Sequence, residues 1–81
     1  MKATVCVTLK PDVLDPQGRA IQRACATLGY HAVADVRQGK LFEIELAAAD
    51  RPAAERLVRE LAAKLLSNPV IEDFRVLSLE A

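Results

Sequence analysis

The chain has 81 residues, with 11 Lys and Arg against 11 Asp and Glu, a single His and 52% apolar residues. That length suits one domain, residues 1–81, and the absence of net charge argues against nucleic acid or an anionic membrane as partner, since both need a one-signed basic surface. No apolar run approaches the roughly 20 residues that cross a bilayer, and Met1 leads into a strand pattern rather than a signal-peptide core, so a cytoplasmic protein is expected.

Lys2 to Leu9 alternates, with Ala3, Val5, Val7 and Leu9 on one side, which predicts a half-buried strand. Pro11 stops it. Asp15-Pro16 then reads as N-cap and first helical residue, and Ile21, Ala24, Cys25 and Leu28 recur at helical spacing. Gly29 suits the left-handed residue that closes a helix, so the first helix is expected over Pro16 to Leu28. Ala32 to Arg37 reads as a second strand, Gln38-Gly39 as a tight turn and Leu41 to Ala47 as a third strand, together a hairpin. Asp50 caps a second helix with the stripe Leu57, Leu61 and Leu65, with Ala54, Val58 and Leu66 alongside. Asn68-Pro69 ends it, and Glu72 to Leu79 makes a fourth strand.

The order β-α-β-β-α-β predicts an α+β fold, a two-layer ferredoxin-like sandwich with both helices on one face of one antiparallel sheet. Cys25 would lie under the first helix and Cys6 on the opposite face, too far apart for a disulfide. That opposite face also gathers Val33, Leu41, Leu77 and Leu79, more apolar surface than water alone explains. Arg75 is the one clear charge guarding the fourth strand as a sheet edge. Cys6, Val33, Leu41, Arg75, Leu77 and Leu79 are therefore expected at a homodimer interface. A chain this short buries only roughly 60–65% of its unfolded surface, which also favours association.

Chemistry is sparse. His31 has neither a second histidine nor a nucleophile and reads as a surface residue. Asp12 and Asp15 are explained by turn and cap geometry. Glu72-Asp73 reads as an exposed strand entry. Arg37 and Lys40 flank the turn at Gly39, either as a phosphate or acidic-patch contact or as solubilising turn charges. No phosphate loop or metal cluster is present in the sequence, so an active site and cofactors on this chain are not expected.

Three segments together resemble the PurS family: Leu9-Lys10-Pro11-Asp12-Val13-Leu14-Asp15-Pro16-Gln17-Gly18, then Val36-Arg37-Gln38-Gly39-Lys40 followed by Phe42-Glu43, then Asn68-Pro69-Val70-Ile71-Glu72-Asp73-Phe74. The resemblance spans nearly the whole chain; Phe74 stands where the family often has Tyr. It implies the small, non-catalytic subunit of phosphoribosylformylglycinamidine synthase, a glutamine-dependent, ATP-hydrolysing C–N ligase complex of purine biosynthesis. It implies a glutaminase subunit that releases ammonia and a large synthetase subunit that binds ATP and magnesium. The small subunit would bridge the two as a homodimer, or a tetramer built of two, and assist ammonia transfer. Lys10, Pro11, Asp12, Asp15, Gln17, Gly18, Arg37, Gly39 and Lys40 are the expected partner contacts, since recognition residues concentrate in loops at strand ends. For the first loop, helix capping and turn geometry is an equally good reading. The competing function is a dimeric small-molecule-sensing module of the same fold, which metabolite binding by the isolated dimer would distinguish.

Overall fold

The computed structural model describes residues 1–48 and 50–80. Strand β1 (Lys2–Leu9) is central, flanked by β2 (Gly39–Glu45) and β3 (Glu72–Glu80), each antiparallel to it, in the order β2-β1-β3. Helix α1 (Pro16–Thr27) follows β1, and α2 (Arg51–Leu61) precedes a π-helical turn, Ala62–Leu66.

The alternation read from the sequence sets the core. Ala3, Val5 and Val7 point to one face and are fully buried, opposite Ala54, Val58 and Ala62 of α2 and the turn that follows it. Ala54 and Ala62 are small enough to let the helix approach closely, and Val58 fills the space between them. Burying each of the three valines stabilises the fold by roughly 1.5–3 kcal/mol. Phe42, Ile44, Phe74 and Val76 close the sides of this cluster. Asp50 caps α2, its Oδ1 accepting from Ala53 N at 2.8 Å.

The register explains one departure from the expected faces. Val5 pairs with Val76 but Thr4 with Ser78, so Leu77 is an extra residue in β3. This bulge reverses the alternation beyond it. Leu79, expected on the helix-free face, is instead opposite Ala3 and buried in the core, while Leu77 is half exposed.

The α+β architecture on one antiparallel sheet is present, with three of the four expected strands paired. Residues 32–37, the expected second strand, make no ladder. The chain passes Gln38-Gly39 without the positive φ of a tight hairpin turn; among the described residues only Gly29 has one, at 93°. The segment instead runs beside α1, where Gln22 Nε2 donates to Ala34 O at 2.8 Å. Gly29 closes α1 as expected, with Tyr30 N donating to Cys25 O at 2.8 Å, a six-to-one closure.

Residues 14–38 therefore form a helical finger beyond the end of the sheet, and of the two helices only α2 packs on the sheet. Cys25 lies on this finger, half-buried, and is not between helix and sheet. The chain measures 51 × 26 × 14 Å with a radius of gyration of 16.0 Å. A compact domain of this length would have about 12 Å. The finger leaves its own apolar stripe uncovered, with Ile21 44% and Leu28 72% exposed, and it also leaves Leu65 of the π-helical turn 73% exposed.

Candidate interaction surface

The three sequence segments singled out above meet at one end of the sheet, at the base of the finger. Asp15 is the centre of the junction and is nearly buried. Its Oδ1 accepts from Gly18 N at 3.0 Å, capping α1, and its Oδ2 accepts from Gln38 N at 2.7 Å. The amides of Gln38 and Gly18, helped by the nearby Arg37 guanidinium, hold the Asp15 carboxyl below its ordinary value against the opposing effect of burial. Arg37 Nη2 donates to the carbonyls of Lys10 at 3.0 Å and Val13 at 3.2 Å, tying the return strand to the outgoing loop. Gln38 Nε2 donates to Gln17 Oε1.

Two glycines make this junction possible. A Cβ at position 18 would collide with Val36 O, a backbone atom, and one at position 39 would stand 2.7 Å from Val7 O. The approach of backbone to backbone therefore excludes any side chain at either place.

The third segment fixes the other side of the loop. Lys10 N donates to Ile71 O at 2.8 Å, and Lys10 Nζ pairs with Asp73 at 3.1 Å. Glu72 accepts from Asn68 N at 2.8 Å and pairs through Oε2 with Lys40 at 3.3 Å, so the Lys40–Glu72 pair reaches across β1 near Leu9. The Asn68 amide, then Lys40, lower the Glu72 carboxyl from its ordinary value. Glu72 is half-buried rather than an exposed strand entry, and Arg37 and Lys40 are engaged within the chain rather than free at a turn tip.

Of the nine residues expected at a partner surface, Asp15, Gly18, Arg37 and Gly39 carry the junction, and Lys10 and Lys40 form its flanking ion pairs. Pro11, Asp12 and Gln17 are left exposed on its outer side. The N-terminus of α1 is occupied by Asp15, which leaves it unsuited to an anion. Sequence reading overlooked Gln38, which acts through its main-chain N–H, and Glu72. The four-residue spacing of Asn68 and Glu72 was the available sign of the latter.

On the helix-free face, Leu41 and Arg75 flank Cys6 in one row across the sheet. Leu41 is 60% and Leu77 52% exposed. Val33 lies on the finger, beside α1. His31 and Tyr30 are at the finger's outer end, away from the junction.

A small valine core, a hydrogen-bonded loop junction and an uncovered helical finger are the features of an interaction subunit. The family described as PurS, phosphoribosylformylglycinamidine (FGAM) synthase, matches residues 2–80. The chain belongs to the PurS family. It is 49% identical over 74 residues to the phosphoribosylformylglycinamidine synthase subunit PurS of Bacillus subtilis, covering 91% of this chain and 87% of that protein. It is also similar to the structure of Thermus thermophilus PurS, with TM-score 0.88 and 40% identity over 99% of this chain and 94% of that one. The structure of PurLQS from Thermotoga maritima contains a chain similar to this one with TM-score 0.84 and 28% identity, covering 98% and 99%.

Proposed function

We propose that this chain is the dimeric coupling subunit of a phosphoribosylformylglycinamidine synthase in the cytoplasm. It bridges the glutaminase and the ATP-binding synthetase subunits and assists the passage of ammonia from one to the other. The observation that carries this reading is the junction at the finger base. The three segments that resemble the PurS family fold into one surface.

The dimer follows from the finger. Residues 32–38 lead into β2 and have no ladder partner, while β2 has a free edge. Two copies related by a two-fold axis near Gln38-Gly39 can pair residues 32–38 of each with β2 of the other. The opened hairpin is then restored between chains, as an exchanged element. In that arrangement Ile21, Ala24 and Leu28 of one copy cover the second sheet beside Leu57 and Leu65. Both uncovered apolar faces are satisfied at once. The helix-free row of Leu41, Cys6 and Arg75, with Leu77, stays available for pairing dimers or for the larger subunits.

The test compares glutamine-driven with ammonia-driven FGAM formation by the purified glutaminase and synthetase subunits, with and without this chain. Restoration of the glutamine reaction alone supports the coupling role. Indifference of the glutamine reaction to the chain refutes it.

A further inference from the structure

Strand β3 is the other outer edge of the sheet, and the strand exchange proposed above does not use it. Lys10 N donates to Ile71 O, which sets the phase of the β1–β3 ladder. Antiparallel partners alternate between bonded and non-bonded pairs, so Asp73 and Arg75 turn their main-chain groups toward β1. Glu72, Phe74 and Val76 turn theirs outward. This outward window is closed at both ends. Glu72 N is taken by Asn68 O at 2.7 Å, and beyond the bulge at Leu77 the Leu79 carbonyl accepts from Arg51 Nη2 at 2.6 Å. Between these ends the N–H groups of Phe74 and Val76 have no partner among the described residues.

The side chains along this edge are their own complement. Ile71, Asp73, Arg75 and Leu77 follow one another on the helix-free side as apolar, acid, base, apolar. On a second copy laid antiparallel about a two-fold axis at Phe74, Ile71 faces Leu77 and Asp73 faces Arg75. Ile71 is 38% and Leu77 52% exposed. Arg75 forms no ion pair among the described residues, and Asp73 meets Lys10 through Oδ1, which leaves Oδ2 for a guanidinium. The same axis lets the open window overlap itself completely. Phe74 N reaches Phe74 O of the second copy, and Val76 N reaches its Glu72 O. An axis at Arg75 would set guanidinium against guanidinium, and one at Val76 would set Glu72 against Glu80.

We infer that β3 pairs edge to edge with β3 of a second copy in this register, joining one dimer to the next. A single charge on an edge strand ordinarily keeps it from pairing. With Asp73 two residues away, Arg75 instead selects one register, because opposite charges facing across strands attract and like charges repel. The contact is short and its ion pairs lie at the surface, so it is weak: dilute protein stays dimeric and concentrated protein associates. Each exchanged dimer carries two such edges, and mass therefore grows in steps of two chains.

The experiment follows the mass of the intact protein by sedimentation and light scattering from about 10 µM to about 1 mM. Arg75→Glu sets acid against acid across the axis, and Asp73→Arg sets base against base. An equimolar mixture of the two variants restores both opposite-charge pairs between unlike copies. Arg56→Glu on α2 is the control for net charge, and Leu41→Glu is the control for stacking through the helix-free face. Circular dichroism and melting confirm that each variant is folded. If Asp73→Arg is not, a mixture of Arg75→Glu with wild type takes its place; it keeps one of the two ion pairs and should fall between its components. Wild type is expected to rise above the dimer mass with concentration. Each single variant should need about tenfold more protein to do so, the mixture should return to within about threefold of wild type, and both controls should change it by less than about twofold. The edge contact is overturned if wild type keeps its dilute mass to the highest concentration, if Arg75→Glu associates like wild type, or if the mixture stays as dissociated as its components. It is equally overturned if either control loses as much as Arg75→Glu does. None of these outcomes touches the synthase reading.

Discussion

Asp15 serves two segments with one carboxylate, and its substitutions separate the two roles. Asp15→Asn keeps an acceptor for Gly18 N but can place an amide donor against Gln38 N–H. The helix cap survives while the strap to the return segment is lost. Its melting temperature is expected to fall by about 5 °C. The folded-state value of Asp15 is depressed. Its contribution to stability is therefore full above the ordinary value of 3.8 and is lost as pH falls through the lower folded value. Asp15→Asn should accordingly show a shallower loss of stability between pH 4 and pH 2 in acid titrations followed by circular dichroism; an unchanged acid limb would remove Asp15 from this account. Gly18 supplies a sharper case. In an unobstructed helix, Gly→Ala stabilises by about 1 kcal/mol. Here the added methyl meets Val36 O, so Gly18→Ala is expected to destabilise by about 2 kcal/mol in denaturant titration. These residues were conspicuous in sequence as a cap and a glycine, but their second partner, the main chain at 36–38, carries no side-chain signature. Half of the junction was readable and half was not.

At the scale of elements, the alternation in β1 and the capped, periodic run of α2 were legible because both pack within this chain. Val58→Ala removes two buried methyl groups and should cost about 2 kcal/mol, read as a lower denaturant midpoint at unchanged slope. Leu79 was assigned to the wrong face because a one-residue bulge reverses alternation without altering the run of residue types. The second strand failed for a different reason. Residues 32–37 have a strand-like sequence, but sequence pattern states what a segment can pair with and not whether its partner lies in the same chain. Inserting a two-residue Asn-Gly turn between Gln38 and Gly39 gives the hairpin room to close on β2. That variant is expected to become a compact monomer by light scattering; if it keeps the wild-type mass, strand exchange at this hinge is wrong.

At the scale of the whole molecule, the extent of 51 Å was the least legible property. The apolar residues of α1 announced a buried stripe, and they could not say that the chain by itself leaves that stripe exposed. Leu57 and Leu65, expected as the core of α2, are exposed, while Ala54, Val58 and Ala62 occupy the centre. Wild-type protein is expected to have twice the chain mass of 8.8 kDa in sedimentation, with a melting temperature that rises with concentration. Leu65→Glu places a charge on the flank that the proposed dimer would cover with the second finger, and should convert that dimer to a less stable monomer. A dimeric Leu65→Glu variant would place the finger elsewhere.

The open path of the chain through Gln38-Gly39 also bears on time. A protein that closes its hairpin on itself folds at a rate independent of how much of it is present. One whose return strand must find the edge of another copy has an encounter in its folding reaction. After dilution from denaturant, a first phase should bring α2 onto the sheet at a fixed rate, and a second should accelerate in proportion to protein concentration. In a cell, the yield of assembled subunit would then depend on the local density of newly made chains.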